Sequence, residues 1–390
     1  MKYLIVLGDG MADEPLLELG GKTPLEAADT PNMDRIALEG AMGLLKTVPD
    51  GFQPGSDIAN LGVLGYDVKT CYTGRGALEA GSMGIDLGPL DMAYRCNLTT
   101  ITDGIMEDFS AGHISSEEGA ELLKSLNEHL HTSGAIFYPG VSYRNLMVIS
   151  GGNGTESTPP HDIVGQEIKA YLPTGPDQKI IERCMEESRK IFADHPVNKR
   201  RIAAGKKPAT HIWLWSSGKR PDIPLFYNQW GLSGGMISAV DLLNGIARYA
   251  GMEIIKVPGA TGFLDTDYDA KARYAIEALT HVDFLYLHVE APDEAGHMGN
   301  LAEKILAIER VDDMLGKIMT EFNGRIAVLP DHPTPVRIKT HTASPVPFAI
   351  RGICTDTCTS FSEKQAEKGC FGLINGTELL PLLFSVNEPE

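Results

Sequence analysis

No apolar run in this 390-residue chain approaches the ~20 residues that a helix needs to cross a bilayer. The first run, Leu4-Ile5-Val6-Leu7, stops at Gly8-Asp9-Gly10 and is too short for the apolar core of a secretory leader. Cysteine is sparse. Of the six (Cys71, Cys96, Cys184, Cys354, Cys358 and Cys370), only Cys354 and Cys358 stand close in sequence, at a spacing that is neither a zinc nor a redox motif. Reduced thiols in a cytoplasmic protein are therefore expected over any disulfide or zinc site. Basic charge is also short: 34 Lys and Arg against 52 Asp and Glu give a net charge of −18, which argues against nucleic-acid or anionic-membrane partners. Repeats, low-complexity tracts and coiled-coil heptads are missing. Glycine, by contrast, is plentiful at 42 residues, implying many tight turns and favouring an α/β protein over a helical bundle.

Strand-like apolar runs at residues 3–7, 254–257, 284–289 and 325–329 alternate with helical periodicity at residues 238–249, 269–279 and 301–319. This alternation predicts an α/β fold with a doubly wound, mostly parallel sheet, in which ligands gather beyond the carboxyl ends of the strands. Residues from about 73 to 225 differ in texture. They carry the turn-rich Gly151-Gly152-Asn153-Gly154 and Thr158-Pro159-Pro160, strands at 143–149 and 211–215, and a basic patch at 198–207. The reading is a core domain of residues 1–73 and 225–390, with a smaller α/β domain of residues 74–224 inserted into it.

The polar residues near the strand ends each have an ordinary explanation when taken singly. Asp9 reads as a turn aspartate after the first strand. Ser56, in Pro54-Gly55-Ser56-Asp57-Ile58, reads as the N-cap of a helix with Ile58, Leu61 and Leu64 on its apolar face. The same place, rich in free amide N–H groups, would also hold a phosphoryl group. Asp293 and His297 stand four apart just after the strand at 284–289, so one helical turn would align them. Asp331 and His332 follow the strand at 325–329, and His341 comes shortly after. A solvated surface does not readily gather three aspartates and three histidines at one sheet edge.

Carboxylates and neutral imidazoles without thiolates suit Mn²⁺, Mg²⁺, Zn²⁺ or Fe²⁺, and six such ligands with a serine oxygen suffice for two ions. Metal pairs about 4 Å apart clamp the attacking and leaving oxygens of an in-line phosphoryl transfer. Ser56 would then be the nucleophile, forming a covalent phosphoserine that divides one difficult transfer into two.

Several segments, in order, carry a family likeness: Leu7-Gly8-Asp9-Gly10, Pro54-Gly55-Ser56-Asp57-Ile58-Ala59-Asn60-Leu61, Gly74-Arg75-Gly76, Phe109-Ser110-Ala111-Gly112-His113-Ile114, Thr158-Pro159-Pro160-His161-Asp162-Ile163, Val257-Pro258-Gly259-Ala260-Thr261-Gly262, Glu290-Ala291-Pro292-Asp293-Glu294-Ala295-Gly296-His297 and Pro330-Asp331-His332-Pro333-Thr334-Pro335. Over nearly its whole length the chain resembles the short-form, cofactor-independent (2,3-bisphosphoglycerate-independent) phosphoglycerate mutases of the alkaline phosphatase superfamily. The resemblance implies an isomerase that interconverts 3- and 2-phosphoglycerate, with an alkaline-phosphatase-like core and an inserted substrate-orienting domain. It implies that Ser56 is phosphorylated, that Asp9, Ser56, Asp331 and His332 hold one metal, and that Asp293, His297 and His341 hold the other. Mn²⁺ is the expected ion, with Mg²⁺, Zn²⁺ or Co²⁺ as alternatives. The inserted domain must grip a small phosphorylated three-carbon acid, for which arginine forks are suited. Candidates by motif are Arg95, Arg144, His113, and His161 with Asp162 as a proton carrier; Lys271 of the core is a candidate for the phosphate. Oligomeric state is left open.

The chain departs from the family pattern at Trp213-Leu214-Trp215-Ser216-Ser217-Gly218-Lys219-Arg220, where many members read Trp-Gly-Gln-Gly. A homoserine-kinase-like phosphotransferase with the same metal ligands is therefore the alternative. A metal-dependent phosphatase comes behind it, and no sulfatase-type Cys-x-Pro-x-Arg is present.

Overall fold

Parallel strands covered on both faces read as unbroken apolar runs, and Tyr3–Gly8, Phe284–Val289 and Arg325–Leu329 are buried along their whole lengths. In the computed structural model, which describes residues 1–130 and 134–385, these three are neighbours at the centre of an eight-stranded sheet. Its order is Leu373–Asn375, Gly40–Lys46, Val346–Arg351, Arg325–Leu329, Tyr3–Gly8, Phe284–Val289, Gly234–Ile237, Glu253–Ile254. Pairing is parallel except where Val346–Arg351 meets its two neighbours. Leu7 stands opposite both His288 and Leu329. The three central strands therefore finish at one edge, where the chain continues into Asp9, Glu290 and Asp331.

This sheet belongs to a compact unit formed by Met1–Tyr72 and Asp222–Glu390. Its core joins Leu4, Val6, Leu285, Leu287, Ile326 and Val328 to Ile308, Val311, Leu315 and Ile318 of helix Leu301–Glu321. That helix starts where the Asn300 side chain accepts the Glu303 N–H at 3.2 Å, and its buried residues recur at helical spacing. The expected strand at 254–257 shrinks to Glu253–Ile254 at the sheet edge. Beyond it Ala260 N–H turns back to Val257 O at 3.1 Å, and Pro258 has no N–H to extend the ladder. The expected helix at 238–249 begins at Asp241.

The second compact unit, Thr73–Pro221, contains a five-stranded sheet that is antiparallel throughout. Asp91–Thr102 is its axis, pairing with Ile105–Asp108, Arg144–Ser150 and His211–Lys219. Helices Ser116–Leu130 and Gln178–Ala193 supply Leu122, Leu126, Ile181 and Phe192 to a core with Tyr94, Phe137 and Trp213. Trp213 can be wholly buried because its indole N–H donates to Thr158 O at 2.9 Å. Among the described residues, no helix is long and apolar enough to cross a membrane.

Burial, reinforced by Arg189, pushes the His211 imidazole of this unit down from 6.5 to about 4. Between those values the unfolded chain binds more protons than the folded one, so this histidine's contribution to stability is full above pH 6.5 and is lost as pH falls through about 4. His211→Gln is expected to flatten the acid side of the stability profile, read by thermal melts at stepped pH. An unchanged slope would mean that other groups set the acid limit.

Candidate metal centre and nucleophile

Asp9 leaves the first strand and turns at once through Gly10, whose φ is +62°. A Cβ there would stand 2.6 Å from Thr334 Oγ1 and 2.7 Å from Asp293 Oδ1, so only glycine lets these loops close up. Gly10 N–H donates to Asp331 Oδ1 at 3.2 Å, as does His332 N–H at 2.9 Å. The Asn60 amide donates to the other oxygen of Asp331 at 2.9 Å and to Ser56 O at 2.8 Å, and the Tyr286 hydroxyl donates to Asn60.

Ser56 is the first residue of helix Ser56–Val63 and not its N-cap, contrary to the sequence expectation; Gly55 takes the cap position without a side-chain bond. The Ser56 hydroxyl turns away from its own helix, 3.3 Å from Asp9 Oδ2 and 3.2 Å from His332 Nε2. Asp293 and His297 lie on helix Ala291–Met298, with His297 Nε2 3.1 Å from Asp293 Oδ2. His341 Nε2 is 2.9 Å from His297 Nε2 and 3.5 Å from Asp293 Oδ1. His332 bridges the two ends of the cluster. Its Nε2 is 3.5 Å from Asp9 Oδ1 and 3.4 Å from Asp331 Oδ2, and its ring centroid is 4.1 Å from that of His341. All seven residues singled out for metal and phosphoryl chemistry thus meet at the edge where the central strands finish.

The ligand atoms of Asp293, His332 and His341 lie within 4.8 Å of one another, as do those of Asp9, His288 and Asp331. His288 lies inside an apolar strand and is not among the candidates that the sequence singles out; its Nε2 contacts Asp9 Oδ2 at 2.9 Å. Burial, then the nearby Asp331, Glu290 and Asp293, drives the Asp9 carboxyl well above its usual range. Burial and Asp293 likewise push Glu290 up to about 8. Burial opposes ionisation of Asp293 too, but the His297 and His341 hydrogen bonds outweigh it and hold that carboxyl well below normal. The bond to Asp293 lifts His297 to about 9, whereas burial sends His288 to about 3. Asp9 Oδ1 and Glu290 Oε2 are buried without a hydrogen-bond partner. Crowded carboxylates, orphaned oxygens and converging imidazole nitrogens without thiolates fit divalent cations.

Lys304, fully buried on helix Leu301–Glu321, ties the Asp9 and Asp331 loops together. Its ammonium donates to Asp13 Oδ2 at 2.8 Å, Thr334 O at 2.8 Å and Ala12 O at 3.2 Å, while Val336 N–H also donates to Asp13 Oδ2. Lys304→Met is expected to cost about 3–5 kcal/mol by leaving the Asp13 carboxylate buried and unpaired. Chemical denaturation checks this, and a loss below ~1 kcal/mol would show that the pair behaves as a surface bridge.

The substrate candidates of the second unit form a basic and aromatic group. The Arg95 guanidinium lies 4.1 Å over the Trp215 ring and 2.8 Å from Glu79 Oε1. His161 packs edge-on against Trp215 and Phe109 and is 3.7 Å from Asp162 Oδ1, and burial lowers its pKa. Arg144 and His113 flank Tyr143. His113 ends a run of three left-handed residues, Ala111, Gly112 and His113. The buried Arg201 guanidinium clamps that run by donating to Ala111 O at 2.6 Å. Lys271, in the first unit, is fully buried, with its ammonium on His288 O at 2.9 Å and its pKa pushed down by burial to about 8.

Residues 37–198 match the model of the family described as 2,3-bisphosphoglycerate-independent phosphoglycerate mutase. The curated enzyme of that name from Methanothrix thermoacetophila is 51% identical, over 99% of this chain and 100% of its own. One from Methanothermobacter thermautotrophicus is 51% identical over 98% and 97%. A solved protein from Pyrococcus horikoshii superposes with a TM-score of 0.85 at 31% identity, covering 100% of this chain and 99% of that one. The cofactor-independent phosphoglycerate mutase from Thermoplasma acidophilum gives 0.68 at 28%, covering 98% and 99%.

Proposed function

The chain belongs to the 2,3-bisphosphoglycerate-independent phosphoglycerate mutases and interconverts 3-phosphoglycerate and 2-phosphoglycerate; we propose that it does so through a covalent phosphoserine at Ser56. The observation that carries this reading is the Ser56 hydroxyl, set between Asp9 and His332 at the edge of the sheet and not spent on its own helix. Asp9, Ser56, Asp331 and His332 would hold one divalent cation, and Asp293, His297 and His341 the other. Mn²⁺ is the first assignment for this donor set. When bound, such ions neutralise charge on phosphoryl oxygens and lower the pKa of a coordinated hydroxyl.

Ser56 Oγ attacks phosphorus and the bond from phosphorus to the glycerate 3-oxygen breaks. The 2-hydroxyl then attacks the phosphoserine, and Oγ leaves. One proton must move from the 2-oxygen to the 3-oxygen in each cycle. His161 Nε2 is our choice of carrier, since its depressed pKa keeps it ready to accept. Arg95, held by Glu79 and Trp215, and Arg144 recognise the anionic acid. Lys271, bound to the His288 carbonyl, supports the strand that presents His288 to Asp9.

Acid-quenching the Mn²⁺-loaded protein during turnover of phosphorus-labelled 3-phosphoglycerate should yield label on the peptide containing Ser56. Continued turnover with no labelled residue would reject the covalent route. ATP with homoserine, given to the same preparation, should yield no phosphohomoserine.

A further inference from the structure

Strand Val346–Arg351 runs antiparallel to Arg325–Leu329, with Arg351 opposite Ile326. The chain beyond it therefore emerges at the sheet edge opposite the one from which Asp331 departs. Cys354 lies just past that exit, and Cys370 just before strand Leu373–Asn375. These two cysteines are exposed, whereas Cys71, Cys96, Cys184 and Cys358 are buried. The Sγ atoms of Cys354 and Cys370 are 4.0 Å apart. The Asp356 carboxylate and two backbone bonds hold this approach without help from the sulfurs. Asp356 Oδ2 accepts Cys370 N–H at 3.1 Å and Met42 N–H at 2.9 Å, and its Oδ1 accepts Cys358 N–H at 2.8 Å. Asp356 N–H donates to Gly40 O, and Phe371 N–H to Met42 O, each at 3.1 Å. Both cysteine-bearing segments are thus pinned to the same strand, Gly40–Lys46.

We propose that Cys354 and Cys370 form a reversible dithiol–disulfide site that reacts with a low-molecular-weight disulfide and clips the sheet edge remote from Ser56. One protein thiolate attacks the small disulfide, forming a mixed disulfide and expelling one small thiol. The second protein thiol then attacks the protein sulfur of that mixed disulfide and expels the other. Two protein S–H groups become one S–S bond, the small disulfide takes both electrons, and both protons end on the released thiols. Partial desolvation of its sulfur, with Cys354 alongside, pushes the Cys370 thiol up to about 11. Little of the Cys370 thiol is ionised at neutral pH, while the equilibrium of the exchange depends on how well the fold holds the two sulfurs together. The cross-link closes the stretch between the two strands and removes freedom from the unfolded chain. An increase of roughly 5 °C in thermal midpoint is expected, with kcat and KM unchanged.

The test equilibrates the full-length, metal-loaded protein with oxidised and reduced glutathione at stepped ratios. Thiols that react with Ellman's reagent in the native protein should fall from the two exposed cysteines to none. Trypsin cuts between the cysteines at Lys364 and Lys368, so an unreduced digest should contain the Cys354 and Cys370 peptides joined. The midpoint should rise with the oxidised fraction and fall again with dithiothreitol. Cys358→Ser should retain the linked peptides and the thermal gain. Cys370→Ser should lose both and carry glutathione on Cys354. Glutathione on Cys354 and Cys370 separately at every ratio, or a bond from Cys354 to Cys358 instead, would overturn the proposal.

Discussion

Ser56→Ala should lower mutase turnover by on the order of 10⁴-fold or more, since it deletes the atom that accepts the phosphoryl group and leaves only water or direct transfer. The fold should survive. Ser56 caps nothing with its side chain and is only partly buried, alanine is well suited to a helix's first turn, and the hydroxyl's two contacts are replaceable by water. Stability should therefore change by less than about 1 kcal/mol. An enolase-coupled assay beside a thermal melt separates the two effects. Substantial residual turnover in a well-folded variant would refute the phosphoserine route, whereas an unfolded variant would show that the hydroxyl is a structural element of the loop.

Stripping divalent cations with a chelator should cost at least about 10³-fold in activity, because the several kcal/mol of charge stabilisation that such ions supply disappears. Added Mn²⁺ should restore it. The physical ground is the electrostatics of the cluster: Asp9 and Glu290 are driven toward their neutral forms, and each keeps a buried oxygen without a partner. A cation relieves both conditions. Mn²⁺ uptake should therefore raise the thermal midpoint, an effect measurable without any substrate, and release protons into weakly buffered solution. Full activity after exhaustive chelation, with no thermal response to Mn²⁺, would show that the cluster does not need metal.

Much of the sheet can be read directly from the residues, because parallel strands buried on both faces leave unbroken apolar stretches such as Leu4-Ile5-Val6-Leu7. The polar residues that follow three of them were conspicuous by contrast. His288 illustrates what is hidden. Within Phe284–Val289 it reads as one more core position, and its contact with Asp9 depends on a strand pairing across about 280 positions. Lys304 did leave a trace, falling on the same helical face as Ala307, Ile308 and Val311, but a lysine there reads first as a snorkelling side chain. Strand Val346–Arg351 contains Pro347 and runs against its neighbours, so no alternation of strand and helix announces it. The left-handed run at Ala111, Gly112 and His113 depends on Arg201, some 90 residues on. The meeting of Cys354 with Cys370 likewise follows from Asp356 anchoring both segments, not from their spacing.

The position of Tyr3–Gly8 between Phe284–Val289 and Arg325–Leu329 has a consequence during synthesis. This strand's two partners are made only after about 280 further residues. At about 5–20 residues per second it must wait roughly fifteen seconds to a minute for its native neighbours. The central pairings, and with them the meeting of Asp9 with Asp331, therefore form only after residues 284–329 have been made.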